Sequence, residues 1–176
     1  TVRTSEGWVI GESIAIVETL AERHPDAGLW PEDAQARIYA RWLVAEMHAG
    51  FATLRNDCPM QLFKQVQDFN VSQALKADIA RLEDILGHAF DSFSGDAPYT
   101  GGWLFGDYCA ADAFYAPVAA RIAGYNLPVS DRLAAYVRTH LRDAAFTSWR
   151  AEGISVTYDP FPYDLGANSQ PWPEVD

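Results

Sequence analysis

The sequence is poor in cysteine, which limits the kinds of site it can build. Only Cys58 and Cys109 occur among its 176 residues, and their spacing matches neither a CxxC motif nor a metal-ligand pattern. This argues against a disulfide framework and against a metal centre. We therefore expect no metal cofactor and a reducing, cytoplasmic compartment.

Positive charge is also scarce. The chain carries 13 Lys and Arg residues against 24 Asp and Glu, a formal net charge of −11. Phosphate backbones and anionic lipids repel such a chain, so we expect neither nucleic acid nor a membrane surface as a partner. The sequence has no apolar run long enough to span a bilayer and no visible signal peptide.

Apolar residues, by contrast, are abundant, at 49% of the chain. This fraction predicts a globular protein with a substantial core rather than a disordered one. The length corresponds to one domain, or to one domain plus a fragment of another.

A strand, a tight turn and a helix are predicted over residues 9–16. We expect a hairpin over residues 1–10 with Gly7 in its turn, then a helix over 12–23. Glu12 and Ser13 fall in the first helical turn, where free N–H groups and the helix dipole favour an anionic ligand. The alternative is that both residues only cap the helix.

The next helix is predicted to run from Glu32 or Asp33 to about Asn56. It is the longest predicted helix, and its largely apolar circumference indicates the buried centre of a bundle. Four basic residues fall in one narrow stripe at helical spacing. They are either a solvated or ion-paired face, or the anion-attracting wall of a ligand cleft. They are Arg37, Arg41, His48 and Arg55.

The remaining chain reads as more helices and an unusual tail. Residues 59–70 are predicted irregular, 71–93 helical and 96–102 a loop. Another helix starts at Cys109, with Asp112 in capping-box position, although cysteine is a weak cap. Two last helices are expected, from Ser130 to His140 and from Asp143 to Glu152. A tail over 154–176, rich in proline and aromatic residues, should lie across the domain surface.

Five segments, in this order and spacing, resemble a bacterial glutathione S-transferase. Each is weak alone, but together they cover the chain to about Glu152. The segments are WVIGESIAI at 8–16, LWP at 29–31, EMHAGF at 46–51 with Leu54-Arg55 and Pro59-Met60, LFG at 104–106, and Ala111-Asp112.

The resemblance implies a mainly all-α protein in two domains. Residues 1–25 would be the last hairpin and helix of a thioredoxin-like α/β domain that binds glutathione. Residues 32–153 would be the all-helical C-terminal domain, followed by the tail at 154–176. The family's catalytic residue would then lie upstream of Thr1, so no catalytic residue is predicted here. A homodimer is also implied.

The resemblance implies a glutathione transferase with a small hydrophobic co-substrate and glutathione as the second substrate. Glu12 and Ser13 match the pair that receives the γ-glutamyl end of glutathione, with Ser13 suited to its carboxylate and Glu12 to its ammonium. A non-catalytic binding or scaffold protein on the same fold is the alternative. Four further residues are candidates for the substrate site, although aromatic residues at helical spacing are more often core. They are Tyr39, Trp42, His48 and Phe51.

Overall fold

The computed structural model describes residues 1–94, 102–156, 158 and 168–173. It is mainly helical, with one N-terminal hairpin, so the predicted fold class is confirmed. The helices are α1 Ser13–Arg23, α2 Ala34–Ala49, α3 Ala52–Asp57, α4 Gln73–Phe93, α5 Ala110–Gly124, α6 Asp131–Arg142 and α7 Ala144–Ser155, and the strands are β1 Val2–Arg3, β2 Val9–Ile10, β3 Lys64–Val66 and β4 Ser169–Pro171.

The N-terminal hairpin is short and exposed. Val2 pairs with Ile10 and Arg3 with Val9 in antiparallel register, and Gly7 takes the positive φ of 92° that the turn requires. Helix α1 follows directly and has no fully buried residue. Trp8 and Val9 remain 73% and 60% exposed, so this end of the described structure is covered little by the helical core.

The prediction of one continuous central helix to about Asn56 is wrong, because the helix is interrupted at Gly50 and Phe51. Helix α2 ends at Ala49, and α3 begins again at Ala52. A Cβ on Gly50 would lie 2.7 Å from the Glu46 carbonyl oxygen, and Phe51 adopts φ 57° and ψ 41°, in the left-handed region. The Phe51 ring is only 6% exposed, and its burial offsets the strained backbone. The longest helix is instead α4, with 21 residues.

The core forms where α2, α4, α5 and α6 pack together. Helix α2 is less enclosed than predicted, because Ile38 and Trp42 on its outer face are 70% and 48% exposed. Two buried tyrosines join the helices through their hydroxyls. Tyr115 donates to the Leu43 carbonyl at 3.1 Å and Tyr39 to the Ile85 carbonyl at 3.0 Å.

The capping residues predicted for the two C-terminal helices are present, but both helices end later than predicted. Ser130 caps α6, which runs two residues beyond His140, to Arg142. Asp143 caps α7 as predicted. Helix α7 continues beyond its predicted end at Glu152, to Ser155. The predicted loop at 96–102 lies outside the described residues except for its last position.

The region at 59–70 is not wholly irregular, because it contains β3. This strand pairs antiparallel with β4, and Gln65 faces Gln170. Trp172, which follows β4, is 7% exposed and lies under the Arg150 guanidinium, 5.2 Å from the ring centroid. The described part of the tail is thus anchored on the helical domain.

Candidate functional site

The N-terminus of α1 carries a carboxylate that bonds its own helix. Glu12 is the N-cap residue, in extended conformation. Its Oε1 accepts hydrogen bonds from the Ser13 backbone N–H at 2.6 Å and from the Ser13 hydroxyl at 3.0 Å. These two bonds, chiefly the one from the hydroxyl, lower the pKa of Glu12. The carboxylate is therefore held ionised where the helix dipole stabilises an anion.

His48 approaches this carboxylate from the last turn of α2. Its Nε2 lies 3.3 Å from the Glu12 Oε2, and both side chains are about half exposed, at 48% and 50%. Three of the residues predicted for the site, Glu12, Ser13 and His48, therefore lie together. The Glu12 carboxylate contacts Ser13 through one oxygen and His48 through the other.

A cavity of about 470 Å³ opens beside Ser13, and we call it the Ser13 cavity. It lies between the N-terminus of α1, the end of α2, α3 and the middle of α5. Its apolar wall comes mainly from Met47, Phe114 and Pro117. Its basic side chains are His48, Arg55 and Arg121.

The break between α2 and α3 places Arg55 in this cavity. The helix is interrupted at Gly50 and Phe51, and the Arg55 side chain on α3 contacts the end of α2. Its Nη2 donates to the Met47 carbonyl and, at 3.1 Å, to the His48 carbonyl. A guanidinium at a helix C-terminus is favoured by the dipole. Arg55 thus both caps α2 and lines the cavity.

Arg121 reaches the cavity from α5. Its Nε donates to the Cys58 carbonyl at 2.9 Å and its Nη1 to the Pro117 carbonyl at 3.2 Å. Sequence reasoning missed this residue. Helical spacing alone carried no signal for it, since its place in the cavity depends on how α5 packs against α3.

The predicted basic stripe divides between two cavities. His48 and Arg55 line the Ser13 cavity. Arg37 donates to the carbonyls of Pro31 and Glu32, at 2.9 and 2.8 Å, in another cavity beside the linker at 28–32. Arg41 lines that same second cavity and forms a bidentate ion pair with Glu18 on α1. Arg37 and Arg41 therefore make hydrogen bonds and an ion pair within the fold. This agrees with the interpretation of the stripe as an ion-paired face.

The three aromatic candidates lie apart from Ser13. Tyr39 and Trp42 contact each other edge to face, with ring centroids 4.9 Å apart, and line a cavity with His88 on α4. Phe51 is buried in the core. Their role in substrate binding stays a prediction.

The cysteines do not have the properties of nucleophiles. Both are free and buried. Burial raises the pKa of Cys58 and of Cys109 to about 12, so both thiols remain protonated near neutral pH. Within the described ranges, no cluster of His, Cys, Asp or Glu could hold a metal ion, and no helix is long and apolar enough to cross a membrane.

Comparison with solved structures identifies a similar fold. The chain aligns with a glutathione transferase homologue from Burkholderia, strain BGR1, whose crystal structure contains bound glutathione. The alignment covers 86% of this chain and 71% of that one, with a TM-score of 0.59 and 24% sequence identity. The resemblance predicted from the motifs is confirmed at the level of the fold.

Comparison with known sequences gives a shorter match. A probable maleylacetoacetate isomerase from Caenorhabditis elegans is 40% identical over 60 residues. The match covers 34% of this chain and 28% of that protein. No protein-family model matches the chain.

Proposed function

We propose that this protein is a glutathione transferase, which transfers the thiolate of glutathione to a small electrophile with an apolar body. The observation that carries the proposal is the meeting of Glu12, Ser13 and His48 at the edge of the Ser13 cavity. The glutathione bound in the structural neighbour supports the choice of ligand. The local similarity to a probable maleylacetoacetate isomerase supports the assignment to the same family of proteins.

Glutathione is bound by its γ-glutamyl end in this proposal. The Ser13 hydroxyl and the free N–H groups of α1 receive the α-carboxylate, and the Glu12 carboxylate receives the α-ammonium. Binding requires Glu12 to release the Ser13 hydroxyl, which it now holds at 3.0 Å. The second contact of Glu12, with His48, keeps the carboxylate in place during this exchange.

The reaction takes place at the Ser13 cavity. The glutathione sulfur, as thiolate, forms a bond to an electrophilic carbon of the co-substrate while the leaving group departs with its electron pair. Met47, Phe114 and Pro117 supply the apolar wall against which the co-substrate packs. The described residues bind and position both reactants, which alone lowers the barrier considerably.

The proposal extends to the organisation of the protein. Residues 1–25 are the end of a thioredoxin-like domain, 32–153 the helical domain and 154–176 the tail. The protein is a homodimer and works in the cytoplasm. Light scattering coupled to size-exclusion chromatography tests the dimer, and a monomeric mass across the micromolar range would contradict it.

Glutathione binding tests the function directly. We expect the natural protein to bind glutathione in isothermal titration calorimetry. The double variant Glu12→Ala, Ser13→Ala should bind at least tenfold more weakly, because charge-assisted hydrogen bonds are lost. Glu22→Gln, an exposed acid on the same helix, is the matched control and should bind as the natural protein does. Equal affinity in all three proteins would refute the anchoring role.

A further inference from the structure

The Ser13 cavity is basic in a strongly acidic protein. The chain has a net charge of −11, yet His48, Arg55 and Arg121 line this cavity, and the Glu12 carboxylate at its edge contacts His48 rather than either arginine. The cavity beside the linker at 28–32, which Arg37 and Arg41 line, is called the linker cavity. Its lining also includes the acidic residues Glu18, Glu22, Asp26 and Glu32. A concentration of one sign of charge at a single cavity attracts a ligand of the opposite sign.

Arg55 is held in place without a carboxylate. Most other arginines with printed contacts pair with acids, as Arg41 does with Glu18 and Arg81 with Glu46. The described acceptors of Arg55 are instead the carbonyl oxygens of Met47 and His48. Carbonyls orient the guanidinium but do not neutralise its charge. Arg55 is also partly buried, where an unneutralised charge interacts more strongly with a ligand than it does in water.

Arg121, on α5, also lines the cavity. Its bonds to the Cys58 and Pro117 carbonyls fix its position, and it is partly buried as well. Arg55 and Arg121 come from different helices and line the same cavity. The planar guanidinium fork matches the geometry of a carboxylate better than that of any neutral group.

We propose that the co-substrate carries a carboxylate, which the Arg55 guanidinium receives while the apolar body of the co-substrate packs on Met47, Phe114 and Pro117. This inference rests on the proposed transferase function and names the substrate class of the same site. The carboxylate orients the electrophilic carbon toward the glutathione bound at Ser13.

A matched pair of electrophiles tests the inference. The probes are 4-chloro-3,5-dinitrobenzoate and its methyl ester, which share the reacting ring and differ in charge. In both, the glutathione thiolate bonds to the chlorinated carbon, the C–Cl bond breaks and chloride leaves. We expect the natural protein, after division by the uncatalysed rates, to have a higher kcat/KM for the acid than for the ester. Sodium chloride should lower that ratio, because salt screens the charges.

Arginine variants assign the effect to the cavity. Arg55→Met should lower the acid-to-ester ratio of kcat/KM about tenfold, the effect of one charge-assisted bond. Arg55→Lys should retain part of it, because the charge remains and the fork is lost. Arg37→Met is the matched control, since Arg37 also donates to two carbonyls but lies in the linker cavity. It should leave the ratio unchanged.

Different results would contradict the carboxylate-bearing co-substrate and the transferase function. Turnover of the ester with a ratio of one or less in the natural protein would overturn the inference alone. An equal fall for acid and ester in Arg55→Met would also overturn it, since Arg55 would then only cap α2. No turnover of either probe would contradict the transferase function itself. The acid-to-ester ratio of kcat/KM is measured on the natural protein, so this first test does not depend on whether a variant folds.

Discussion

Helices α1 and α5 each carry a carboxylate at or near their N-terminus, and the two carboxylates are in opposite surroundings. At α1 the Glu12 side chain is 50% exposed. At α5 the Asp112 residue is 0% exposed. Glu12 bonds chiefly its own neighbour Ser13, whereas Asp112 accepts hydrogen bonds both from the preceding loop and from α6.

The buried carboxylate has a full set of partners. Asp112 accepts hydrogen bonds from the backbone N–H groups of Leu104 and Cys109, at 3.2 and 3.0 Å, and from the Tyr136 hydroxyl at 2.9 Å. Burial raises the pKa of Asp112, and the three donors act against that rise. This carboxylate has no access to a ligand, so its role is to join the loop before α5 to α6.

The comparison shows that the same local chemistry serves two purposes, and burial decides between them. A carboxylate with fixed, buried partners stabilises the fold. One with exposed and exchangeable partners is free to bind a ligand at little cost in stability. The following changes test this difference.

Removing Asp112 should have the largest effect. Asp112→Ala leaves three buried donors without an acceptor, each costing about 1–3 kcal/mol, so we expect the free energy of unfolding to fall by about 4 kcal/mol. Urea denaturation followed by circular dichroism measures it. Asp112→Asn keeps one acceptor oxygen and should lose less. An unchanged midpoint in Asp112→Ala would contradict the structural role.

The buried end of α6 should also make stability depend on pH. Burial lowers the pKa of His140 from 6.5 to about 4, against the opposing effect of Asp143. Between these values the unfolded chain binds a proton that the folded chain does not. Stability therefore falls as pH drops from 6.5 to 4, by about 3 kcal/mol in total.

A non-titrating variant isolates this contribution. His140→Leu should flatten the dependence of unfolding free energy on pH between 4.5 and 6.5. It also removes the buried Nε2, which has no hydrogen-bond partner among the described atoms. A variant with the same slope as the natural protein would show that other groups cause the dependence.

Cys109→Ser should change stability less. Serine is a better N-cap than cysteine, so we expect the free energy of unfolding to stay the same or rise by up to about 1 kcal/mol. Cys58→Ser is the comparison variant, and it should lose stability because its hydroxyl enters an apolar core. A loss of stability in Cys109→Ser as large as that in Cys58→Ser would contradict the capping argument.

Glu12→Gln should have the smallest effect on stability. Its carboxylate is at the surface, and its bonds to Ser13 can be replaced by water. We expect a urea midpoint within measurement error of the natural protein, together with weaker glutathione binding. A midpoint shift as large as that of Asp112→Asn would remove the distinction between the two carboxylates.

Sequence reasoning succeeded where the interactions are local. The caps at Ser130 and Asp143 bond N–H groups two or three residues away, so their residue types and spacing predict them. The periodicity of 71–93 likewise predicted α4. The start of α1 at Glu12 and Ser13 was predicted because a turn and a helix start lie side by side in the sequence.

Interactions between distant segments were missed. The break at Gly50 and Phe51 depends on the burial of the Phe51 ring in the folded core, which periodicity does not reveal. Strand β3 exists because it pairs with β4, and Gln65 bonds a residue 105 positions away. Arg121 enters the Ser13 cavity only through the packing of α5. In each case the tertiary environment decides the local structure.

The pairing of β3 with β4 has a consequence for synthesis on the ribosome. At about 5–20 residues per second, a gap of 105 positions corresponds to about 5–20 seconds of translation. During that time β3 and the surface around Gly124 have neither β4 nor the Trp172 ring to cover them. The tail therefore joins the fold well after β3 has been made, and the nascent chain exposes an uncovered strand until it does.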